Sequence, residues 1–406
     1  MKLYSKYCRG RLAVISTALL VAGISNSAVA APASDAAPSA PTSLRVDDVT
    51  NPVGTETVPY FGWLDNDTNA NEIQTSYEIL VATSESNLDA NRGDVWDSGE
   101  VASSQENHVV YPGTPLTADT EYFWKVRTWN REGNAGPYSS SATFAVGLPA
   151  NSDWAGASWI KRDTSAADDY TYYHKRTATL PAKTVQRATV YVTSVHKYAL
   201  YVNGTLVGKG PAYAFPRFQF YNAYDITPLV KPGTSNLFAI FNHWFGGGSG
   251  RPASARGVLM KAIIHYTDGT SSSIDTDGTW LESQATNWAT GLHRRNGQGA
   301  GYIEQIYAGP LTTSWFTTSF DDSAWTPATV IGAQPNSTWI GPLLPDLTRI
   351  VETVLAPCVS YQHRWQICGG FGQSLFWNAG RLVFLRRHRR HGQYARRLRA
   401  SSLGRY

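Results

Sequence analysis

Two pairs of adjacent carboxylates are the residues of this sequence that most invite a chemical interpretation. Asp168-Asp169 and Asp321-Asp322 each place two acidic side chains side by side. Adjacent residues of an extended chain point to opposite sides, so neither pair suits an acid and a base that share one substrate. We therefore expect turn or capping roles for both pairs. Calcium ligation is the alternative, because oxygen-rich loops suit that hard cation.

A second candidate site lies where an apolar run meets a glycine-rich loop. Asn242, His243 and Trp244 close the run, and Arg251 follows the glycines. Loops at strand ends often carry binding residues, and an indole face beside amide, imidazole and guanidinium donors suits a sugar. The other interpretation is that Trp244 packs inside the fold. The loop is no phosphate cradle, because it lacks the Gly-Lys-Ser/Thr ending and the helix start.

These residues must be positioned by β-strands, because the hydrophobic pattern has a period of two. The clearest strand is Glu121–Trp129, in which apolar Tyr122, Trp124 and Val126 alternate with polar or amphipathic positions. Tyr77–Ala82 and other short strands precede it, with turn-rich segments between them. This recurrence predicts a fibronectin type III or immunoglobulin-like sandwich over residues 42–148.

The same alternation resumes further along the chain. Strands are predicted at Ala188–Thr193, Lys197–Val202, Asn236–Phe241 and Val258–Tyr266, and Asn203-Gly204 fits a tight hairpin turn. No sustained helical period is present. The sequence therefore predicts an all-β protein, with a connector over 149–169 and a jelly-roll β-sandwich over 170–340.

The first thirty residues have the character of a targeting segment. A basic head carries Lys2, Lys6, Arg9 and Arg11, an apolar run follows from Leu12 to Ile24, and Ala28-Val-Ala30 is a small-residue cleavage site. The apolar run is too short for a spanning helix. We expect a signal peptide over 1–30 and a disordered Ala/Pro/Ser linker over 31–41. The mature chain would be secreted or periplasmic, with no membrane segment.

Cysteine usage gives no covalent framework to the two sandwiches. Cleavage would remove Cys8 and leave only Cys358 and Cys368, both near the C-terminus. We expect unpaired thiols there, the alternative being that the two cysteines pair if the tail folds. A zinc site is not indicated, because no further Cys or suitably spaced His flanks them.

The last part of the chain differs from the rest in composition. Ten arginines and no acidic residue follow Glu352, while the whole chain carries a formal net charge of only +4. We expect residues 341–406 to be an irregular or disordered, Arg-rich tail. A shifted reading frame beginning between Leu355 and Phe384 would explain this composition. The alternative, binding of phosphates or an anionic surface, has no accompanying nucleic-acid module, so we expect no nucleic-acid partner.

The ordered series of short motifs resembles the N-terminal part of bacterial α-L-rhamnosidases, glycoside hydrolase family 78. Thr120–Trp129 and Trp154–Ile160 are similar to the first sandwich of that family. Tyr198–Gly204, Trp244–Gly246 and Phe320–Trp325 are similar to its jelly-roll domain. The resemblance covers roughly residues 42–340, and its specificity lies in the order of the motifs.

The resemblance implies an inverting hydrolase that releases terminal L-rhamnose, with two carboxyl groups about 6.5 to 9.5 Å apart. In the family those carboxyls belong to a C-terminal (α/α)6 barrel. That barrel is longer than everything after residue 340 here, so no catalytic residue is carried over. We expect a non-catalytic portion of a secreted rhamnosidase that is inactive alone. The alternative is a stand-alone protein that binds rhamnose-containing glycosides. In that case Trp244 would pack on the methyl group of rhamnose. We expect no cofactor, with calcium as the one possible exception.

Overall fold

The protein is described by a computed structural model over residues 36–67, 72–212, 216–246, 255–293, 303–309, 311–346 and 348, and over four short strands between residues 357 and 385. The predicted signal peptide, Arg251 and the Arg-rich segment after Leu385 lie outside these residues. Within them the architecture is all-β, as predicted. Helix is confined to α1 (Glu85–Asp89), α2 (Leu311–Ser314) and two 3-10 turns, Asn151–Trp154 and Pro216–Phe218.

The first sandwich is built from nine strands of the described chain. They are β1 (Ser39–Val46), β2 (Val53–Thr55), β3 (Tyr60–Asn66), β4 (Ser76–Ala82), β5 (Trp96–Asp97), β6 (Val101–Ala102), β7 (Val109–Val110), β8 (Glu121–Trp129) and β9 (Ala142–Val146). One sheet has the order β1-β3-β7, and the other β2-β9-β8-β4-β5 with β6 on β4. The predicted strand Glu121–Trp129 is confirmed as β8, which buries Tyr122, Trp124 and Val126 in the core.

The second sandwich follows with thirteen described strands. They are β10 (Ser158–Lys161), β11 (Asp169–Thr179), β12 (Val185–Ser194), β13 (Lys197–Val202), β14 (Thr205–Gly210), β15 (Phe220–Asp225), β16 (Ser235–Trp244), β17 (Val258–Tyr266), β18 (Ser271–Asp275), β19 (Leu281–Gln284), β20 (Thr326–Pro327), β21 (Thr329–Ala333) and β22 (Leu344–Pro345). One sheet runs β21-β10-β17-β12-β15-β22 with β18 on β17, and the other runs β14-β13-β16-β11-β19-β20. The core between the sheets includes Val190, Leu200, Phe238 and Met260.

Local sequence signals are reproduced at the hairpin between β13 and β14. Asn203 and Gly204 both have positive φ, 50° and 90°, which is the geometry of the predicted tight turn. Only Gly adopts such values without strain, and Asn tolerates them better than most residues.

Two strands lie outside the domain limits expected from the sequence. β10 falls within the stretch expected as a connector, where it pairs with β21 and buries Trp159 and Ile160. β1 begins at Ser39, inside the expected linker.

The compact unit ends at Pro345, and a second unit comprises residues 346–406. In that second unit the described residues form an antiparallel sheet in the order β23-β24-β25-β26, with β23 (Pro357–Ser360), β24 (Arg364–Cys368), β25 (Ser374–Asn378) and β26 (Arg381–Leu385). This part of the expected irregular tail is thus extended and paired.

Among the described residues, no helix is long and apolar enough to cross a membrane.

The outer face of the sheet that contains β11 and β16 is covered by a segment that we call the strap, residues 311–325. Its Trp315 ring stacks on Tyr172 at a centroid distance of 4.2 Å, and its Trp325 ring stacks on His174 at 4.0 Å. The sheet therefore buries aromatic side chains on both faces. This second aromatic layer positions the side chains of the candidate site.

Candidate functional site

The candidate site lies where β16 ends beside the first residues of β11 and β13. In the register of these strands, His243 is paired with Tyr170 on one side and with Lys197 on the other. Asp168 immediately precedes β11. Glu304, from the segment 303–309, approaches His243 and Lys197 at 3.6 Å each. Polar groups from four separate parts of the chain therefore converge on this end of the sheet.

The predicted sugar-binding residues do not share one face of β16. Asn242 is buried, and its amide donates to the backbone carbonyls of Val195 (3.1 Å) and Lys197 (2.9 Å). Strand alternation places Trp244 on the same side as Asn242 and places His243 on the other side. The Trp244 ring is covered by the Arg256 guanidinium at 4.4 Å. Asn242 and Trp244 therefore lie on one side of β16 and His243 lies on the other. Sugar contact by these residues stays a prediction.

His243 is a buried imidazole held by ring stacking. Its ring lies 3.9 Å from that of Tyr170, at an interplanar angle of 16°, and the Phe245 ring meets its edge. Neither ring nitrogen of His243 has a hydrogen-bond partner among the described residues. The 3.6 Å from Nδ1 to Glu304 is too long for a good hydrogen bond. Burial lowers the pKa of His243, and the charge of Glu304 opposes this only in part, so the imidazole is neutral.

Two further buried polar groups adjoin His243. The Tyr170 hydroxyl is fully buried and has no hydrogen-bond partner among the described residues. Burial raises the pKa of Tyr170, and the nearby carboxylates of Glu304 and Asp168 raise it further. Asp168 is also buried and accepts hydrogen bonds from the Gly291 amide, at 3.0 and 3.2 Å to its two oxygens. The cluster thus combines a free phenol donor, a neutral imidazole and a carboxylate, which together suit hydroxyl groups.

Asp169 is adjacent to Asp168 in sequence but has different hydrogen-bond partners. One of its oxygens accepts a 2.5 Å hydrogen bond from the Arg162 guanidinium, and the other accepts from the Thr171 hydroxyl at 2.7 Å. Both oxygens of this buried carboxylate are therefore occupied by protein donors. Asp168 and Asp169 do not present free oxygens to a common cation.

The second predicted pair fastens the strap. Asp322 Oδ2 lies 3.0 Å from Nδ1 of His174 and 3.1 Å from Nε of Arg176, and Arg176 also donates to the Phe320 carbonyl at 2.6 Å. Asp321 caps a turn by accepting from the Ser323 amide at 3.0 Å. No cluster of three or more His, Cys, Asp or Glu in the described parts of the chain has metal-binding geometry. Protein donors thus use the oxygens of Asp169 and Asp322, and calcium ligation by the two pairs stays a prediction.

His174 is neutral in spite of its acidic partner. Burial lowers its pKa to about 4, although the hydrogen bond and charge of Asp322 act in the opposite direction. Because a carboxylate only accepts hydrogen bonds, the Nδ1 of the neutral ring carries the proton. The contact between His174 and Asp322 is thus a hydrogen bond from a neutral imidazole to a carboxylate, and not an ion pair.

The sequence pattern missed several residues of these clusters. Tyr170 and Glu304 carry no local signal that links them to His243, because their proximity comes from strand register and from the path of the segment 303–309. His174 and Arg176 were likewise not identified. Trp315 and the Phe320–Trp325 motif are the sequence signals that mark the strap, through their resemblance to the jelly-roll domain.

Comparison with known families gives two matches in order along the chain. Residues 41–150 match the family described as "Rha78A-like, N-terminal immunoglobulin domain", and residues 183–341 match the family described as "Alpha-L-rhamnosidase N-terminal domain". The two matches correspond to the two sandwiches described above.

Individual relatives agree with these matches. An α-L-rhamnosidase from Formosa agariphila is 29% identical over 333 residues, covering 70% of this chain and 33% of the relative. Another, from Alteromonas sp. (strain LOR), is 31% identical over 310 residues, covering 70% of this chain and 32% of the relative. The solved α-L-rhamnosidase from Dictyoglumus thermophilum superposes with a TM-score of 0.64 at 24% identity, covering 81% of this chain and 38% of that one. The chain thus spans about a third of the length of these relatives.

Proposed function

We propose that this chain, whose two sandwiches belong to the N-terminal domain families of α-L-rhamnosidases, is the non-catalytic supporting portion of such an enzyme. The observation that carries the proposal is the ordered match of both N-terminal domains. The enzyme would release terminal L-rhamnose from glycosides, and a further catalytic portion would supply the acid and the base.

A supporting role requires that the two sandwiches hold a fixed relation to each other. Their junction is buried and hydrogen bonded. Tyr221 of the second sandwich accepts a hydrogen bond from the Leu148 amide at 2.8 Å. A Cβ at Gly54 of the first sandwich would lie 2.5 Å from the Cβ of Ala223, so the backbones approach closely there. A junction of this kind favours a rigid support over a tethered, independently moving module.

The contacts of the paired carboxylates also favour a non-catalytic role. Asp169 is bound to Arg162, and Asp322 is bound to Arg176 and His174. A general acid needs a raised pKa and access to the leaving group, and a base needs access to a water molecule. These carboxylates are instead used to hold strands and the strap in place.

A second candidate function is binding of rhamnose-containing glycosides by the second sandwich. The observation that favours it is the group of buried polar atoms at Tyr170, His243 and Asp168, which lack the full set of partners that such groups normally have. Sugar hydroxyls can both donate and accept, so they would complement a phenol, an imidazole and a carboxylate. Access to this buried cluster would require movement of the residues that cover it.

One pair of measurements separates these functions. The purified chain is incubated with an aryl α-L-rhamnoside, and L-rhamnose is titrated into it by calorimetry with calcium and with a chelator. We expect neither turnover nor saturable binding. Saturable binding that is weakened by His243→Gln would establish the second function, and turnover by the chain alone would overturn the non-catalytic assignment.

Export is part of the proposal and rests on the sequence of residues 1–30, which lie outside the described residues. A basic head, a short apolar run and Ala28-Val-Ala30 form the features of a cleavable signal. Expression in a bacterial host, followed by N-terminal sequencing of periplasmic protein, is expected to give Ala31 as the first residue. Uncleaved protein confined to the cytoplasm would contradict export.

A further inference from the structure

Two exposed apolar side chains lie on neighbouring segments of the compact unit that ends at Pro345. Phe218 is 56% exposed and Ile340 is 55% exposed. The segments that carry them are in contact, because a Cβ added at Gly341 would lie 2.4 Å from the carbonyl oxygen of Arg217. We call Phe218 and Ile340 the exit patch.

The backbone that presents the exit patch is fixed by buried contacts. Trp339, which precedes Ile340, is fully buried and stacks on Trp159 at a centroid distance of 3.8 Å. The Gln334 amide donates to the Gly341 carbonyl at 2.6 Å, and Asn336 Oδ1 accepts from the Trp339 amide at 3.1 Å. Binding at the patch would therefore cost little ordering of the backbone, which favours affinity.

The patch also lies beside the point where the chain leaves the sandwich. The last strand, β22, pairs in parallel with β15, so that Phe220 is opposite Leu344 and Tyr221 is opposite Pro345. The Leu344 amide also donates to the Gln219 carbonyl at 3.0 Å. Pro345, the last residue of the compact unit, is therefore held beside β15, which begins two residues after Phe218.

The relatives indicate what would occupy this position. The chain covers about a third of their length, and the matched families are N-terminal domains, so most of each relative follows the matched region. We propose that the exit patch is the surface on which the catalytic portion of an α-L-rhamnosidase docks, through apolar side chains of that portion. This inference rests on the proposed supporting function and adds the location of the contact.

A second exposed apolar pair provides a matched control. Ile306 and Tyr307 are 47% and 55% exposed. They lie on a segment that pairs with residues 287–293, as in the 2.8 Å hydrogen bond from the Tyr307 amide to the Asn287 carbonyl. This pair has similar exposed apolar character, but its segment pairs with residues 287–293 and not with the segments that carry Phe218 and Ile340.

The test uses the full chain and a separately produced probe. The probe is the part of the Alteromonas relative that follows its match to this chain, and its own hydrolysis of an aryl α-L-rhamnoside serves to verify that it is folded. Binding of the probe to immobilised full chain is measured for three proteins: the unchanged chain, the double variant Phe218→Ser/Ile340→Ser, and the control Ile306→Ser/Tyr307→Ser. Equal melting temperatures verify that the variants are folded.

We expect the unchanged chain and the control to bind the probe equally, and the exit-patch variant to bind at least about tenfold more weakly, because two apolar side chains would no longer be buried. Equal binding by all three proteins, or loss confined to the control, would refute the location while leaving the supporting function intact. No binding of the folded probe to the unchanged chain would refute the supporting function itself.

Discussion

Nε2 of His265 lies 2.6 Å from Oδ2 of Asp119, and this contact joins the two sandwiches. Asp119 belongs to the turn before β8, whereas His265 belongs to β17. The same carboxylate accepts hydrogen bonds from the Tyr191 hydroxyl at 2.8 Å and from the Arg187 guanidinium at 3.1 Å. One acidic side chain of the first sandwich is thus held by three residues of the second.

Replacing this carboxylate should weaken the coupling between the sandwiches. Asp119→Ala removes the carboxylate that Arg187, Tyr191 and His265 share at a largely buried site, and we expect it to lower the free energy of unfolding by about 3 kcal/mol. Urea denaturation measures the change. The control is Asp163→Ala, which removes an exposed partner of Lys161 and should cost less than about 0.5 kcal/mol. Equal losses in the two variants would show that Asp119 has no special role.

The contribution of Asp119 should also depend on pH. Burial alone would raise its pKa, but the hydrogen bond from His265 and the charge of Arg187 hold the pKa below its usual value of 3.8. The unfolded chain then binds the proton more readily than the folded one. The stabilisation is present above pH 3.8 and is lost as the pH falls below it. Wild type and Asp119→Ala should therefore converge in stability in strong acid.

His174 should make the stability depend on pH in a higher range than Asp119 does, because the unfolded chain takes up a proton at this residue more readily than the folded chain. Its pKa is about 4 in the folded state and 6.5 in the unfolded state. The unfolded chain binds the additional proton between these values, so stability is complete above pH 6.5 and falls as the pH drops towards about 4. The loss attributable to this group is up to about 3 kcal/mol. It is measured as the difference in unfolding free energy between wild type and His174→Gln across this range, and a pH-independent difference would contradict it.

Two tyrosines on the same face of β11 should respond oppositely to loss of the hydroxyl. Tyr170 has no hydrogen-bond partner among the described residues, whereas the Tyr172 hydroxyl donates to Asn287 at 2.8 Å. Tyr170→Phe removes a buried unsatisfied group and should stabilise the protein by about 1 kcal/mol. Tyr172→Phe should destabilise it by about the same amount. Thermal denaturation measures both, and destabilisation by Tyr170→Phe would reveal a bound water or ligand at its hydroxyl.

Asp47 should limit stability at neutral pH. It is buried, one of its oxygens has no partner among the described residues, and burial raises its pKa to about 6. The folded state binds the proton more tightly, so stability is lost as the pH rises from about 4 through 6. Asp47→Asn keeps the acceptor for the Tyr60 amide and tolerates the positive φ of 50°. We expect a gain of about 1 to 3 kcal/mol at pH 7 and little gain at pH 4. Equal gains at both pH values would refute this cause.

Calcium should not stabilise the chain. The predicted ligands Asp169 and Asp322 are bound to arginines, and Asp321 caps a turn. A site occupied at 100 times its Kd would add about 2.7 kcal/mol. We expect the same melting temperature in millimolar calcium and in chelator, as measured by calorimetry. A higher melting temperature in calcium that disappears in Asp168→Asn would establish a site that these contacts do not indicate.

The amino-acid sequence alone determined the strands and the turns between them. Alternation of Tyr122, Trp124 and Val126 predicted β8, and Asn203-Gly204 predicted the hairpin after β13, because both signals depend on residues that are neighbours along the chain. The same period of two also implies that Asn242 and His243 point to opposite sides, so their separation was present in the pattern.

Only the tertiary structure decided which polar groups meet. Asp322 contacts His174 across 148 positions of sequence, and Asp119 contacts His265 across 146. Such contacts depend on the register between distant strands and on the packing of two sandwiches, to which every residue of the core contributes. The pKa values of His174 and Asp47 follow from the same burial. No local pattern contains this information, because burial is a property of the whole folded chain.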